Sequence, residues 1–116
     1  MNGQYEYLSY STSEVNTCKK WIDGKPIYRK VFYSATNWAN GTTIGNVVDV
    51  DTVVYLQSLV VGTNNLTYVD FASDLNNVYG DATVDMSTGN IAVRRLGIFA
   101  SSKPSSIIVE YTKTTD

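Results

Sequence analysis

Histidine is absent from this 116-residue chain, and cysteine occurs once, at Cys18. The first absence removes the usual general base at neutral pH and the commonest metal ligand. No Ser-His or Cys-His nucleophile pair can therefore form within the chain. One cysteine makes neither an internal disulfide nor a thiolate metal cluster. No apolar run approaches the roughly 20 residues that span a bilayer as a helix. The opening run MNGQYEYLSY has no basic region followed by an apolar core, so no secretion signal is expected there. Nine basic and eleven acidic residues give a formal charge of -2, without the basic excess that neutralises phosphates. These shortages predict a chain with no enzymatic activity, cofactor or metal, no nucleic-acid partner and no membrane insertion.

What the chain does contain is β-forming sequence. Nine tyrosines accompany runs of valine, threonine and isoleucine, and Gly- or Asn-rich clusters separate those runs. Tyrosine suits strands, and it also suits interfaces and sugar-binding surfaces, because it joins rigid contact area to a polar tip. Residues 20–30, KWIDGKPIYRK, read as a hairpin. Asp23-Gly24 predicts a two-residue type I′ turn, and Pro26, which lacks an N–H, fits an edge or the start of the return strand at residues 27–33. Residues 39–42, 49–51, 62–65 and 87–90 read as further turns. Residues 53–61, VVYLQSLVV, are apolar on both faces, with Val53, Tyr55, Leu59 and Val61 on one and Val54, Leu56 and Val60 on the other. Such a strand is central in a sheet or shows its second face to another subunit. Residues 66–71 are expected to pair with it. Residues 72–79 read as a loop, residues 83–86 and 91–95 as short strands, and residues 107–112 as the last strand. The whole predicts one all-β domain over residues 1–116, an antiparallel β-sandwich.

Three runs add a resemblance. YSTSE at residues 10–14, WIDGKPIY at residues 21–28 and VEYTKTTD at residues 109–116 together resemble a module at the C-terminal end of bacteriophage fibre, tail or head-fibre proteins. The strand from Asp51 to Leu59 matches the family in type, and residues 61–106 are divergent. Lys19-Lys20, where the family often has glycine, together with Cys18 and the Arg94-Arg95 pair, depart from the pattern and concern the outer surface. The resemblance implies a jelly-roll-like β-sandwich and a homotrimer that sits in the virion, at a fibre or tail tip, among other virion proteins. It also implies contact with a glycan or receptor on the bacterial cell surface. A purely structural or decoration (head-fibre) trimerisation domain and a stand-alone carbohydrate-binding module are the alternatives.

Each candidate site has a plain structural counterpart. Trp21 and Tyr28 of the hairpin could form a ligand platform. A motif shared by fibres with different hosts is better suited to scaffold, so Trp21, Asp23, Gly24, Pro26, Tyr28 and Tyr111 are read as structural, with Trp21 packed. Trp38 lies in NWANGTT. An exposed indole stacks on the apolar face of a sugar while amides meet its hydroxyls, which makes Trp38, Asn40 and Thr42 ligand candidates. The counterpart is a core tryptophan closing a hairpin. Tyr68, Asp70 and Tyr79, on a segment that also holds Asp74 and Asn76, form a second candidate group, because loops on rigid scaffolds carry function. Asp49 with Asp51, and Asp81 with Asp85, are read as turn and surface residues rather than cation ligands. Arg94-Arg95 on a strand points its side chains to opposite faces, with Glu110 as a possible partner and acidic glycan or phosphate as a possible ligand. Cys18 is read as a small half-buried residue.

Overall fold

The computed structural model describes residues 9–73, 78–97 and 102–116. Among these residues there is no helix, and the strands are β1 (Val15–Lys20), β2 (Pro26–Ser34), β3 (Thr43–Asn46), β4 (Val50–Val61), β5 (Thr67–Val69), β6 (Phe71–Ser73), β7 (Val78–Val84), β8 (Asn90–Leu96) and β9 (Ser105–Lys113). They form two sheets, ordered β1-β2-β9-β4-β5 and β3-β8-β7-β6. Every pairing is antiparallel. The protein is all-β, and its two sheets share one core, an arrangement compatible with a β-sandwich.

The core follows from alternation. Ile91 and Val93 on β8 face Ile107, Val109 and Tyr111 on β9, with Val47 and Val50 beside them, and all are buried. Fully burying a valine or isoleucine side chain contributes about 1.5–3 kcal/mol, so these residues dominate the cohesion of the two sheets. Gly89 closes the turn into β8 at φ +78, and a Cβ there would stand 2.0 Å from the Val47 carbonyl oxygen. Only glycine fits that turn.

The hairpin turn differs from the expected one. The Trp21 N–H donates to the Lys25 carbonyl at 2.9 Å, and the Gly24 N–H donates to the Trp21 carbonyl at 2.9 Å. Gly24 has φ +86, whereas Asp23 is not among the residues with positive φ. The connection is therefore a three-residue loop, a type I turn followed by a left-handed glycine, and not a type I′ pair. Asp23 stabilises it by accepting the Lys25 N–H at 3.0 Å. Cys18 is exposed rather than half-buried. It sits at φ 62 within an irregular stretch of β1.

A bulge rearranges the double-faced strand. The β4–β9 register slips between Val53 and Tyr55. Directly opposed residues share a sheet face. Val53, Leu56 and Val60 therefore face the core with Ser58, while Tyr55, Gln57, Leu59 and Val61 face outward. The expected grouping of Val53 with Tyr55 fails because one extra residue flips the alternation. The second departure lies at residues 72–79. They are not a simple loop, since β6 pairs with β7 through Phe71↔Gly80 and Ser73↔Val78. The strand expected at residues 83–86 begins at Val78 and ends at Val84. Asp74 and Asn76 lie outside the described residues. Asp70, at φ 46, turns the chain from β5 in one sheet to β6 in the other.

Candidate functional site

Two polar clusters stand out, and the first gathers residues of the runs at 10–14, 21–28 and 109–116. The Tyr111 hydroxyl donates to one Glu14 carboxylate oxygen, and Lys113 Nζ donates to the other at 2.5 Å. Lys113 also stands 4.4 Å from the centre of the Tyr28 ring, and Asp116 hydrogen-bonds Tyr28 and raises its pKa. Lys25 Nζ meets Asp51 at 2.7 Å and the Lys113 carbonyl at 3.3 Å. Burial and the Glu14 bond push the Tyr111 hydroxyl far above its usual range. The Glu14 bond likewise raises Lys113. Residues of all three motif runs thus converge at one place, and their charges are engaged with one another.

The second cluster centres on Arg95. Its position follows the alternation of β8, where Ile91, Val93 and Arg95 all point inward, and only 6 % of Arg95 is exposed. A guanidinium carries five N–H donors. Nε donates to Asn37 Oδ1 at 2.9 Å. Nη1 donates to the Asp81 and Arg94 carbonyls at 2.8 and 3.0 Å. Nη2 donates to Ser58 Oγ and Ser105 Oγ at 3.1 and 3.2 Å. Every acceptor is neutral. Burial lowers the Arg95 pKa, opposed by the charges of Asp81 and Asp70, and an arginine stays charged through such a shift. Its strand neighbour Arg94 points the other way, to a two-point contact with Asp81 at 2.8 and 2.5 Å. Glu110 pairs instead with Arg29, at 3.6 Å.

The loop between β2 and β3 is stitched onto β8 beside this arginine. The Gly41 N–H donates to the Val93 carbonyl at 2.8 Å, and the Val93 N–H donates to the Thr42 carbonyl at 3.1 Å. The Arg95 backbone N–H donates to Asn40 Oδ1 at 2.9 Å. Between loop and strand lies a cavity of about 310 Å3, lined by Asn37, Trp38, Ala39, Asn40, Arg95, Leu96 and Gly97. Trp38 is half-buried: it packs against the core, lines this cavity, and has the Arg95 guanidinium 6.0 Å from its ring centre.

Of the ligand candidates, Trp38 and Asn40 therefore share one cavity. Thr42 does not line it and acts there through its backbone. Tyr68 and Asp70 have local partners: Asn64 Nδ2 donates to the Tyr68 hydroxyl at 2.9 Å, and Asp70 Oδ1 accepts the Ser58 N–H at 2.7 Å. Tyr79 lies under the Arg94 guanidinium at 4.3 Å. Trp21 is 38 % exposed and Ile22 91 %, so the expected packing of Trp21 on the core does not hold within the chain. Asp51 is engaged by Lys25, Asp81 by Arg94, and Asp85 by Ser87. Among the described residues no group of three His, Cys, Asp or Glu side chains could hold a metal ion. The sequence reading gave the Arg94-Arg95 pair Glu110 as a partner or acidic glycan or phosphate as a ligand, and did not place Arg95 between the sheets. The signal for a buried role was there, since a charge at the third inward position of an otherwise apolar strand face is rare unless partnered.

Comparison of the chain with family models, with curated proteins and with solved structures found no match.

Proposed function

We propose that this chain is a non-enzymatic module of a phage fibre or tail tip that helps a virion attach to a bacterial surface by binding glycan. The observation that carries the binding part is the cavity beside Trp38, where an aromatic ring and two amides line one concave site. Sugar recognition needs that combination of apolar face and directional polar groups. The virion part rests on the three motif runs, and their convergence around Glu14, Tyr28, Tyr111 and Lys113 suits a shared scaffold. The jelly-roll-like reading draws support from the alternation of β2, β9 and β4 in one sheet with β3 and β8 in the other. The β4–β5 hairpin and the β6-β7-β8 meander depart from it.

A second reading, a structural trimerisation domain, is favoured by the outer face of the larger sheet. The strand registers align Tyr33, Ser106, Leu59 and Val69 in one row across four strands, with Val31, Ile108 and Gln57 in the next. Tyr33 is 62 % exposed and Val69 50 %. A largely apolar face broken only by Ser106 and Gln57 in these rows suits a subunit contact, and a homotrimer would cover it. The two readings are compatible, and one experiment orders them. Fluorescently labelled protein is incubated with a panel of Gram-positive and gut bacteria before and after periodate oxidation of their surface glycans. Binding that periodate abolishes upholds glycan attachment, whereas binding that survives it points to a protein receptor. A trimer by light scattering that binds no cells leaves the structural role alone.

A further inference from the structure

We infer that the Asn37–Trp38–Asn40 cavity selects a sugar that carries an acetamido group, such as an N-acetylated hexosamine. This rests on the glycan-binding reading above and goes further by naming the ligand class. The argument begins with which way each amide must point. Arg95 Nε and the Arg95 backbone N–H are donors only. Asn37 and Asn40 therefore turn their oxygens toward Arg95, at 2.9 Å in both cases. This assignment is fixed by the network rather than by choice, because a flipped amide would set N–H against N–H. Each side chain then holds its NH2 group on the side away from Arg95. Among the described residues neither NH2 group has a hydrogen-bond acceptor.

The cavity thus offers an unusual set of side-chain groups. It has two outward NH2 donors, the ring of Trp38, and the apolar side chains of Ala39 and Leu96. Leu96 is exposed at the rim. Each amide oxygen is turned toward Arg95, so the amide groups on the far side are donors. A plain hexose offers two NH2 donors only hydroxyl and ether oxygens, which accept more weakly than an amide carbonyl does. A carboxylate-bearing sugar would want a cation, but all five guanidinium N–H groups of Arg95 are already committed to neutral oxygens. An acetamido group matches what remains. Its carbonyl accepts from an asparagine NH2, its methyl rests on Leu96 or Ala39, and the sugar ring stacks on Trp38. Arg95 is the positioning residue, since it fixes both amides without touching the ligand.

The test is an amide-resolved NMR titration with chitotriose, cellotriose and trigalacturonate. These oligosaccharides carry acetamido, hydroxyl and carboxylate substituents, respectively. Chitotriose is expected to shift the Asn37 and Asn40 NH2 signals and the Trp38 indole N–H at concentrations where the other two do not. Asn37→Asp and Asn40→Asp each keep an oxygen toward Arg95 and remove the NH2 group. Each should weaken chitotriose binding about 3- to 10-fold, the loss of one hydrogen bond, while the melting temperature is held or raised by the new charge beside Arg95. Unchanged affinity in both variants, or preference for cellotriose or trigalacturonate, would overturn the inference. If the protein binds cells but chitotriose moves none of these signals, the ligand class is wrong and attachment stands. If chitotriose moves them but no cell is bound, the site stands and the attachment reading fails.

Discussion

The cluster around Glu14 and the cluster around Arg95 use the same kinds of residue to opposite ends. In the first, each cation meets a carboxylate: Lys113 with Glu14 at 2.5 Å, Lys25 with Asp51 at 2.7 Å. Every charged end is engaged, so little is left to present to a ligand. In the second, a buried cation is answered by five neutral oxygens, and two asparagines that accept from Arg95, one from its side chain and one from its backbone, have NH2 groups to spare. The contrast separates scaffold from site. Residues drawn from three distant motif runs close on one another, tying residue 14 to the last strand. Residues 37–40, from a loop outside the three runs, and residues 95–97 form a cavity whose donors point outward.

The largest effect that would break this comparison is expected from Arg95→Leu. It would remove the donors that Ser58 Oγ, Ser105 Oγ and the Asp81 carbonyl accept from, and it would free Asn37 to turn, while Asn40 stays held by the backbone N–H of position 95. A loss of about 2–4 kcal/mol is expected from unsatisfied buried groups and imperfect filling of the space, read from urea unfolding. Loss of under about 0.5 kcal/mol, the usual scale of a surface substitution, would mean that Arg95 does not hold the sheets together.

Tyr111→Phe comes next. The hydroxyl sits on a buried ring and donates to a carboxylate, so about 1–2 kcal/mol is expected, the scale of a hydrogen bond to a charged group. The two clusters should also differ with pH. Tyr111 and Lys113 both hold their protons to higher pH in the folded protein than unfolded chains do. An unfolded tyrosine releases its proton near pH 10 and an unfolded lysine near pH 10.4. The folded state therefore binds more protons above that point, and stability must fall as pH rises through it. Melting temperatures between neutral pH and about pH 11 should decline at the alkaline end, and Tyr111→Phe should flatten part of that decline. Asn40→Asp, in the other cluster, should leave the decline unchanged. An equal slope in wild type and Tyr111→Phe would mean that neither burial nor the Glu14 bond raises the affinity of Tyr111 for its proton.

The sequence foretold the parts of the fold that obey simple alternation. Strand β9 and the existence of β4 were legible because valine, isoleucine and tyrosine alternate or cluster there, and Asp23-Gly24 marked the place of a turn though not its type. The bulge at Val53–Tyr55 was not, since nothing in VVYLQSLVV marks which residue is extra. Strand β7 was legible only at its end, residues 83–84, because Gly80 and Asp81 are poor strand formers, and pairing to Arg94 and Arg95 overrides that preference. The site was legible in the same uneven way. Trp38 beside asparagines announced itself, whereas the hub that orients those asparagines lies 55 residues away, and only pairing in three dimensions brings it there. Tyr68, Asp70 and Tyr79 looked like a loop group, but each is engaged by a near neighbour in space.

The smallest effect on stability is expected from Trp21→Ala, and it bears on where the motif residues do their work. Trp21 closes the hairpin through its backbone, which any residue can supply, and its ring is 38 % exposed beside the almost fully exposed Ile22. Removing that ring from a dilute single chain should cost less than about 0.5 kcal/mol, far below the roughly 3–5 kcal/mol of a packed tryptophan. Two apolar side chains at the tip of a turn stabilise little within the chain itself and leave apolar surface that a partner would cover. In the proposed trimer that partner is a neighbouring subunit. The substitution should then leave the urea midpoint of the dilute monomer unchanged while lowering the native mass measured by light scattering. A loss of several kcal/mol at constant mass would place the ring in the core after all. If mass and midpoint both stay unchanged, the hairpin tip is free to act as a second aromatic platform for ligand, and the line between scaffold and site would have to be redrawn through the motif itself.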